Sequence, residues 1–280
     1  MTSEMDDGAI ELPVDWRPRR YQWRLWDYLR KGGRNAVEIA HRRWGKDELA
    51  LHHTCVAVHE RAASYVHMLP QYAQARKAIW SQVNPHSGKR RIDEAFPHEL
   101  RVVTREDEMF IGFKNGGTWQ VAGSDNYDAM MGTSYAGMVH SEYALADPAA
   151  QGYFAPILME NGGWQIFITT PRGKNHAQAM LRHAQKQQGL GKDWFAEVSP
   201  ASLTGALDAE ALVDELGRLQ ELHGEEYGRA LWLQEYECSF DAAIPGSIWG
   251  DCVERAQREG RIGVVPLEPA VPVCTGWDLG

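Results

Sequence analysis

Residues 35–51 read NAVEIAHRRWGKDELAL, which is an apolar run followed by a polar loop and an apolar helical pattern. Gly45 and Lys46 stand where a phosphate-binding (Walker A) loop carries its last glycine and its lysine. In such a loop the N–H groups at the helix N-terminus hold phosphate oxygens, and the lysine ammonium neutralises them. Ala40 replaces the first glycine of the usual pattern, and Asp47 replaces the serine or threonine that holds magnesium. The stretch therefore predicts a variant nucleotide site; the alternative is that Asp47 only caps the helix or occupies its first turn.

The composition of the 280 residues is that of a globular protein, with 44% hydrophobic and 24% charged residues. Such a length can bury one substantial core with a small added subdomain. The formal net charge of −9 argues against a passive nucleic-acid coat, although a basic channel on one face stays open. Four cysteines without a CxxC pair fit reduced thiols in a cytosol. No apolar run approaches the roughly 18 residues that span a membrane, and the acidic N-terminus does not resemble a signal peptide, so we expect no membrane contact.

Short apolar runs that alternate with helical patterns indicate an α/β fold with a mainly parallel central sheet flanked by helices. The runs that we read as strands are 35–40, 64–69, 135–140 and 164–170, and the helical stretches include 47–62 and 71–83. Residues 101–122 read as three strands joined by two turns, which predicts an antiparallel edge on this sheet. Residues 207–236 are rich in Leu and Glu in a helical pattern and suggest a small helical lid subdomain.

The second half of the nucleotide site is predicted at the strand within YAGMVHSEYALAD, which ends at Glu142. In many ATPases of this kind an Asp before that Glu supports magnesium, while the Glu polarises the attacking water. Ser141 occupies the Asp position here, whereas Asp47 occupies the hydroxyl position of the loop. Both positions face the same ion, so the two ligand types are kept with their places exchanged, and magnesium accepts either arrangement of hard oxygens. We therefore predict a working variant.

A third segment, WQIFITTPRGKNHAQAML, is a buried strand that ends in Thr169 and Thr170 before a Pro-Arg-Gly turn and a helix. Hydroxyls at a strand end beside the phosphate strand can sense whether the terminal phosphate is present. The alternative is a plain strand-to-helix turn, and this segment alone favours the turn.

Taken in order, six segments resemble the large terminase subunit of tailed bacteriophages, over about 16 to 280. The segments are YQ (21–22), HRRWGKD (41–47), GMVHSEYA (137–144), TTPRGKNH (169–176), LQEYECSF (233–240) and GWDLG (276–280). Each motif is weakly specific, whereas their order and spacing are strongly so. The resemblance implies an ATP-driven motor that packages DNA into procapsids. It also implies a P-loop NTPase of the ASCE type, which carries its catalytic Glu on an added strand, with a helical lid and then an RNase H-like nuclease domain.

In that family Arg-x-x-Gly-Lys replaces the glycine-rich loop, which accounts for Ala40 and Arg42. The resemblance implies an adenine contact at the aromatic-Gln pair and coupling of hydrolysis to movement by Thr169, Thr170 and Pro171. The expected cofactors are ATP and Mg²⁺. The expected ATP-binding residues are Tyr21, Gln22, Arg42, Arg43, Trp44, Gly45, Lys46, Asp47 and Glu48.

Roles within the site follow from phosphoryl-transfer chemistry, which relies on positioning and electrostatics. We expect Lys46 to hold the β- and γ-phosphates, and Asp47 and Ser141 to support magnesium directly or through water. Glu142 is expected to orient or deprotonate the attacking water. Arg42 is the candidate for an arginine that stabilises the transition state in cis, with Arg43 as the second candidate.

Three domains are expected: 1–203 as the ATPase core, 204–241 as the lid, and 242–280 as a linker with the first strand of a nuclease domain. Asp278 matches a nuclease metal ligand of the family, but it would find the other acidic ligands of such a site only in a longer chain. Because a two-metal nuclease needs several carboxylates, we expect no DNA cleavage by the 280 residues alone.

Double-stranded DNA, held through its phosphates, is the expected substrate, with a portal protein and a small terminase subunit as partners of a homo-oligomeric ring. The expected location is the host cytoplasm, docked on a procapsid. Two alternatives stay open. One is a helicase-type ATPase, which would need a second RecA-like domain. The other is a non-catalytic DNA-binding module with a degenerate nucleotide site, which gains some weight from Ser141.

Overall fold

The computed structural model describes residues 12–130, 132–241, 256 and 259–261. The chain divides into two compact units, 1–242 and 243–280, and the described residues of the first unit carry the fold given below. The linker and strand predicted for 242–280, including Asp278, lie outside the described residues apart from 256 and 259–261. Within the described residues, none of the helices is both long enough and apolar enough to cross a membrane.

One mostly parallel sheet organises the described chain. Its strands are β1 (Asn35–Ala40), β2 (Ser64–Leu69), β3 (Arg101–Arg105), β4 (Phe110–Phe113), β5 (Thr118–Gly123), β6 (Gly137–Ser141), β7 (Trp164–Thr169) and β8 (Phe195–Ser199). The spatial order is β3-β4-β5-β2-β6-β7-β1-β8. The β3–β4 and β4–β5 pairs are antiparallel, and the others are parallel. The predicted parallel sheet and its antiparallel edge are confirmed, while β8 is an additional strand that we did not predict.

Helices cover both faces of the sheet. They are α1 (Trp23–Arg30), α2 (Lys46–Glu60), α3 (Tyr72–Ala75), α4 (Arg91–Ala95), α5 (Pro148–Glu160), α6 (His176–Gly189), α7 (Ala201–Thr204), α8 (Ala209–His223) and α9 (Glu225–Tyr236). The predicted helical stretch 207–236 is a pair of helices, α8 and α9, which are joined by a hydrogen bond from Trp232 Nε1 to the Leu212 carbonyl (3.0 Å).

The helix predicted over 71–83 differs in detail. Helix α3 continues into a wide π-helical turn, Arg76–Trp80, and ends there. The side chains at both ends of that turn bond the same acidic turn: Arg76 Nη1 donates to the Glu106 carbonyl (2.9 Å), and Trp80 Nε1 donates to the Glu106 carboxylate (2.5 Å). We attribute the altered winding to these tertiary contacts, which the local helical pattern does not contain.

The interior strands are buried on both faces, which explains their continuous apolar runs. In β1, Val37 and Ile39 pack in an apolar cluster with Leu181 of α6. Ala36, which points to the opposite face, packs in a second cluster with Leu49 of α2.

The carboxyl ends of β1, β7 and β6 lie side by side because these strands are parallel neighbours. Strand β7 separates β1, which precedes the loop 41–45, from β6, which precedes Glu142. Three separate segments of the sequence therefore meet at one edge of the sheet, where ligands bind in open α/β folds.

Candidate nucleotide-binding site

The loop 41–45 reverses the chain between β1 and α2 through two left-handed residues. Arg43 has φ 67° and Gly45 has φ 90°, and Gly45 is the N-cap of α2. A Cβ at Gly45 would lie 2.9 Å from Gln22 Nε2, so glycine is required both by the backbone angle and by the close approach. The loop thus makes a tight turn from strand to helix without the first glycine of the pattern.

The N-terminal segment holds this loop through one carbonyl group. The Trp44 carbonyl accepts hydrogen bonds from Gln22 Nε2 (2.9 Å), Arg19 Nη1 (3.2 Å) and the Tyr21 hydroxyl (3.3 Å). Trp44 itself is fully buried. The structure therefore brings the predicted pair Tyr21-Gln22 against the loop backbone, and their contact with adenine stays a prediction.

Glu48, which we predicted to bind ATP, faces the same N-terminal segment. Its carboxylate accepts hydrogen bonds from Trp16 Nε1 (2.9 Å) and from Arg19 Nη2 (3.5 Å). These contacts assign Glu48 a role in seating the segment that holds the loop, and its contact with ATP stays a prediction.

Lys46, the first residue of α2, has all three of its N–H bonds directed at acceptors. Nζ donates to the carbonyls of Ala40 and His41, both at 3.2 Å, and to Thr170 Oγ1 at 3.0 Å. The side chain is only 8% exposed. The ammonium is therefore held inside the loop and beside the end of β7.

Asp47 and Ser141 are in direct contact, as the exchange of ligand types requires. Ser141 Oγ donates a 2.6 Å hydrogen bond to Asp47 Oδ1. His67 Nε2 lies 3.0 Å from the same oxygen, and Arg91 Nη1 lies 3.8 Å from Oδ2. Asp47 lies in the first turn of α2, and the hydrogen bonds found for its carboxylate among the described residues come from Ser141 and His67. The sequence pattern did not indicate His67 or Arg91 as members of this cluster.

The charge state of Asp47 is fixed by these contacts. Burial favours the neutral acid, but the hydrogen bond from His67, the Arg91 guanidinium and the Ser141 hydroxyl outweigh it and hold the pKa of Asp47 below its usual range. Asp47 is therefore an anion at neutral pH, which is the form that a metal ion needs.

Glu142 follows β6 in a strained conformation, with φ 49° and ψ 43°. Its Oε2 atom is buried and has no hydrogen-bond partner among the described residues. Burial raises the pKa of this carboxyl group, against the opposing charge of Lys46 and of two arginines. A partly desolvated carboxylate with an unused oxygen is what a general base in a water-excluding site requires.

The donor pair at this edge fits magnesium. The Asp47 carboxylate and the Ser141 hydroxyl, which are in contact, are both hard oxygen ligands of the kind that this ion prefers.

Arg42 is tied to α9. Its backbone N–H donates to the Glu235 carbonyl (3.0 Å), and its guanidinium pairs with the Glu235 carboxylate. Arg172 pairs with the other oxygen of the same carboxylate. Arg43 is exposed, and no contact of its guanidinium is found among the described residues. Arg172 and Glu235 lie in segments of the resemblance, but the sequence did not indicate their pairing.

The two threonines of the third segment connect β7 to both other segments. Thr169 Oγ1 accepts a hydrogen bond from the Ala144 N–H (3.2 Å), just after Glu142. Thr170 Oγ1 donates to the Ala40 carbonyl (3.0 Å) and accepts from Lys46. Pro171 follows them, and its carbonyl accepts from Arg172 Nη1 (3.3 Å). The end of β7 is thus joined to the residues that flank the loop 41–45 and to the segment just after Glu142.

Comparisons with known proteins give evidence on the fold class of this chain. No protein-family model matches the sequence, and no curated protein matches it. Similar solved structures include the large terminase ATPase domain of Thermus phage P74-26, with 15% identity over 80% of this chain and 99% of that chain, and a TM-score of 0.57. The large terminase of the thermophilic bacteriophage D6E gives a TM-score of 0.59, with 13% identity over 80% of this chain and 53% of that chain. Its complex with ATP-gamma-S gives 0.57, with 14% identity over the same shares.

The expected α/β fold, a mainly parallel central sheet flanked by helices, is confirmed, and it is a fold shared with large terminase ATPase domains. At such low identity the likeness is one of fold, and the fold is that of the large terminase ATPase domains. The chain spans about half the length of the D6E terminase.

Proposed function

We propose that this chain hydrolyses ATP and uses the energy to move double-stranded DNA into a viral procapsid, as the ATPase part of a large terminase. The observation that carries the proposal is the convergence of Lys46, the Asp47–Ser141 pair and Glu142 at the carboxyl edge of β1 and β6. The fold shared with terminase ATPase domains supports it, as do the nucleotide complexes of the D6E terminase with ADP and ATP-gamma-S.

Phosphate binding would begin at Lys46. Its ammonium is bonded to two carbonyls and one hydroxyl, which are neutral acceptors. Phosphate oxygens carry full negative charge and form stronger, charge-assisted hydrogen bonds, so they can take over some of these N–H bonds. The backbone N–H groups from Arg43 to Asp47 would add to the same cradle.

Asp47 and Ser141 are the residues that would hold magnesium. When bound, the ion would neutralise charge on the β- and γ-phosphates. The protein's own part is to present an ionised carboxylate and a hydroxyl already in contact, so that little rearrangement is needed on binding.

Glu142 would accept the proton of the attacking water or orient it. Its raised pKa brings the group nearer to neutrality, where a general base is most effective. Arg42 would stabilise charge on the transferred phosphoryl group after exchanging its partner Glu235 for phosphate, with Arg43 as the second candidate.

Coupling to movement would run through contacts between the site and the predicted lid. Glu235 of α9 binds both Arg42 and Arg172, and His41 Nε2 lies 2.8 Å from Thr204 Oγ1 at the end of α7. Thr169 and Thr170 join the base and the loop to β7. A change of partner at Arg42 would therefore alter how α9 is held.

Double-stranded DNA would be gripped through its phosphates, so binding should weaken with salt and ignore sequence. A portal protein, a small terminase subunit and further copies of this chain in a ring would be its partners, on a procapsid in the host cytoplasm.

A duplex-translocation assay tests this function against the helicase alternative. The substrate is a DNA duplex that carries a bound third strand. A fluorescent label on the third strand reports its release, and a pair of labels on the two duplex strands reports their separation. A packaging motor should displace the third strand in the presence of ATP and leave the duplex paired. Strand separation would instead favour a helicase, and no ATP turnover with DNA present would favour the non-catalytic module.

A further inference from the structure

We propose that His67 is a positioning residue of the nucleotide site, which fixes the Asp47 carboxylate for the metal ion. The inference rests on the proposed function. His67 belongs to β2, which carries none of the predicted site residues.

Sheet register brings His67 to this position. His67 pairs with Val139 of β6, and Ser141 lies two residues further along that strand. Because side chains alternate between faces, His67, Val139 and Ser141 point to the same face of the sheet. Asp47 at the start of α2 meets that face, and its Oδ1 atom receives both the Ser141 hydroxyl at 2.6 Å and the His67 ring at 3.0 Å.

The ring of His67 has its one hydrogen bond in this contact. The residue is fully buried, and Nδ1 has no partner among the described residues. An ionised carboxylate only accepts hydrogen bonds, so Nε2 carries the proton that Asp47 receives. A buried imidazole with an unpaired nitrogen costs free energy that an apolar side chain of similar size would not cost. The contact with Asp47 is the one polar interaction that the described residues give this ring, so we assign its function to that contact.

The two bonds to Oδ1 fix the orientation of the carboxylate, and among the described residues Oδ2 faces only the more distant Arg91, at 3.8 Å. In metal sites such outer contacts orient the ligand, and their loss typically costs about 10- to 100-fold in metal affinity. A short hydroxyl side chain at this loop position would need no such restraint. The carboxylate of Asp47 is on a longer side chain, and His67 supplies the restraint that it needs.

The test compares His67→Gln with His67→Asn. The amide nitrogen of glutamine reaches the place of Nε2, whereas that of asparagine reaches only the place of Nδ1. Binding of a fluorescent ADP analogue is titrated with Mg²⁺ and, separately, in EDTA. We expect His67→Asn to raise the Mg²⁺ concentration for half-maximal binding by about 10-fold or more. His67→Gln should stay close to the wild type, and binding in EDTA should be equal in all three proteins.

Equal Mg²⁺ dependence in the wild type and His67→Asn would overturn the positioning role while leaving the nucleotide site intact. Failure of the wild type to bind the analogue at all would instead refute the proposed function. If His67→Asn does not fold, nitrogen NMR of the imidazole groups in the wild type tests the proposal instead. The signal of His67 Nε2–H should be that of a hydrogen-bonded group both before and after Mg²⁺ and ADP are added. Loss of the hydrogen bond on addition would contradict the proposal.

Discussion

The ammonium of Lys46 donates a 3.0 Å hydrogen bond to Oγ1 of Thr170. Lys46 opens α2, whereas Thr170 follows β7, so this bond joins the phosphate loop to the segment predicted to couple hydrolysis to movement. Any phosphate that draws the ammonium away from Thr170 also changes the surroundings of that threonine. If the site binds nucleotide as proposed, this contact would carry a change at Lys46 directly to the neighbouring strand.

Lys46→Ala should abolish ATP turnover and leave the fold intact. The ammonium is surrounded by polar acceptors rather than by the apolar core, so its loss removes phosphate binding without opening an apolar cavity. Phosphate release and thermal unfolding check the two parts. Lys192→Ala, at an exposed position, is the matched control and should keep full activity. Turnover at the wild-type rate in Lys46→Ala would show that the site is assigned wrongly.

Asp47→Thr combined with Ser141→Asp should retain more activity than Asp47→Thr alone. The double change restores the commoner arrangement of a loop hydroxyl and a strand carboxylate, and the two side chains are in contact at 2.6 Å. Residues that share one ion and one hydrogen bond should couple in a double-mutant cycle of the magnesium-dependent rate. Additive losses across the four proteins would contradict the exchange of ligand types.

The rate of hydrolysis should fall on acidification at a higher pH than an ordinary glutamate would give. Burial raises the pKa of Glu142, so this carboxyl group takes up its proton at a higher pH and then cannot accept one from water. The dependence of kcat on pH measures this acid limb. An acid limb at or below the usual glutamate value of about 4.3 would indicate that Glu142 is not the base.

Acid should destabilise the protein through buried neutral histidines. Burial lowers the pKa of His52, His53 and His140 to about 3 each, from 6.5. Between those values the unfolded chain binds more protons than the folded one, so the free energy of unfolding falls as the pH drops below about 6.5.

His53→Phe should remove one of the protons that the unfolded chain takes up at these histidines. Both ring nitrogens of His53 are buried without partners among the described residues, and the ring lies edge-on to Trp26 and Trp164. Denaturant unfolding at several pH values should give a slope shallower by about 1.4 kcal/mol per pH unit in the variant. His86→Ala, at an exposed position, should follow the wild type. Parallel curves for the wild type and His53→Phe would contradict the assignment.

Periodicity predicted the parts of the fold that lie within one element. The runs 64–69 and 164–170 are buried strands because their neighbours cover both faces. Strand β8 escaped prediction because it is an edge strand, whose residues Ala196, Glu197 and Val198 are only partly buried, so no continuous apolar run marks it. Likewise, the π-helical turn after α3 depends on contacts with residues 106 and 107 that local pattern does not include.

The candidate site was predictable where a motif fixed it, as for Lys46, Asp47 and Glu142. His67 was not, because a histidine within SYVHML looks like a core residue until the register with β6 brings it to Asp47. The shared pairing of Glu235 was equally hidden, since its partners Arg42 and Arg172 stand 193 and 63 residues away along the chain.

Glu142 is proposed to activate water for DNA-dependent ATP hydrolysis, and steady-state phosphate release by the wild type and Glu142→Gln tests this role most directly. The amide is nearly the same size as the carboxylate but cannot accept the proton. With Mg²⁺ and double-stranded DNA, the wild type should hydrolyse ATP, while Glu142→Gln should bind ATP equally well and turn it over at least about 100-fold more slowly. Equal rates in the two proteins, or a wild type that binds no ATP, would contradict the account.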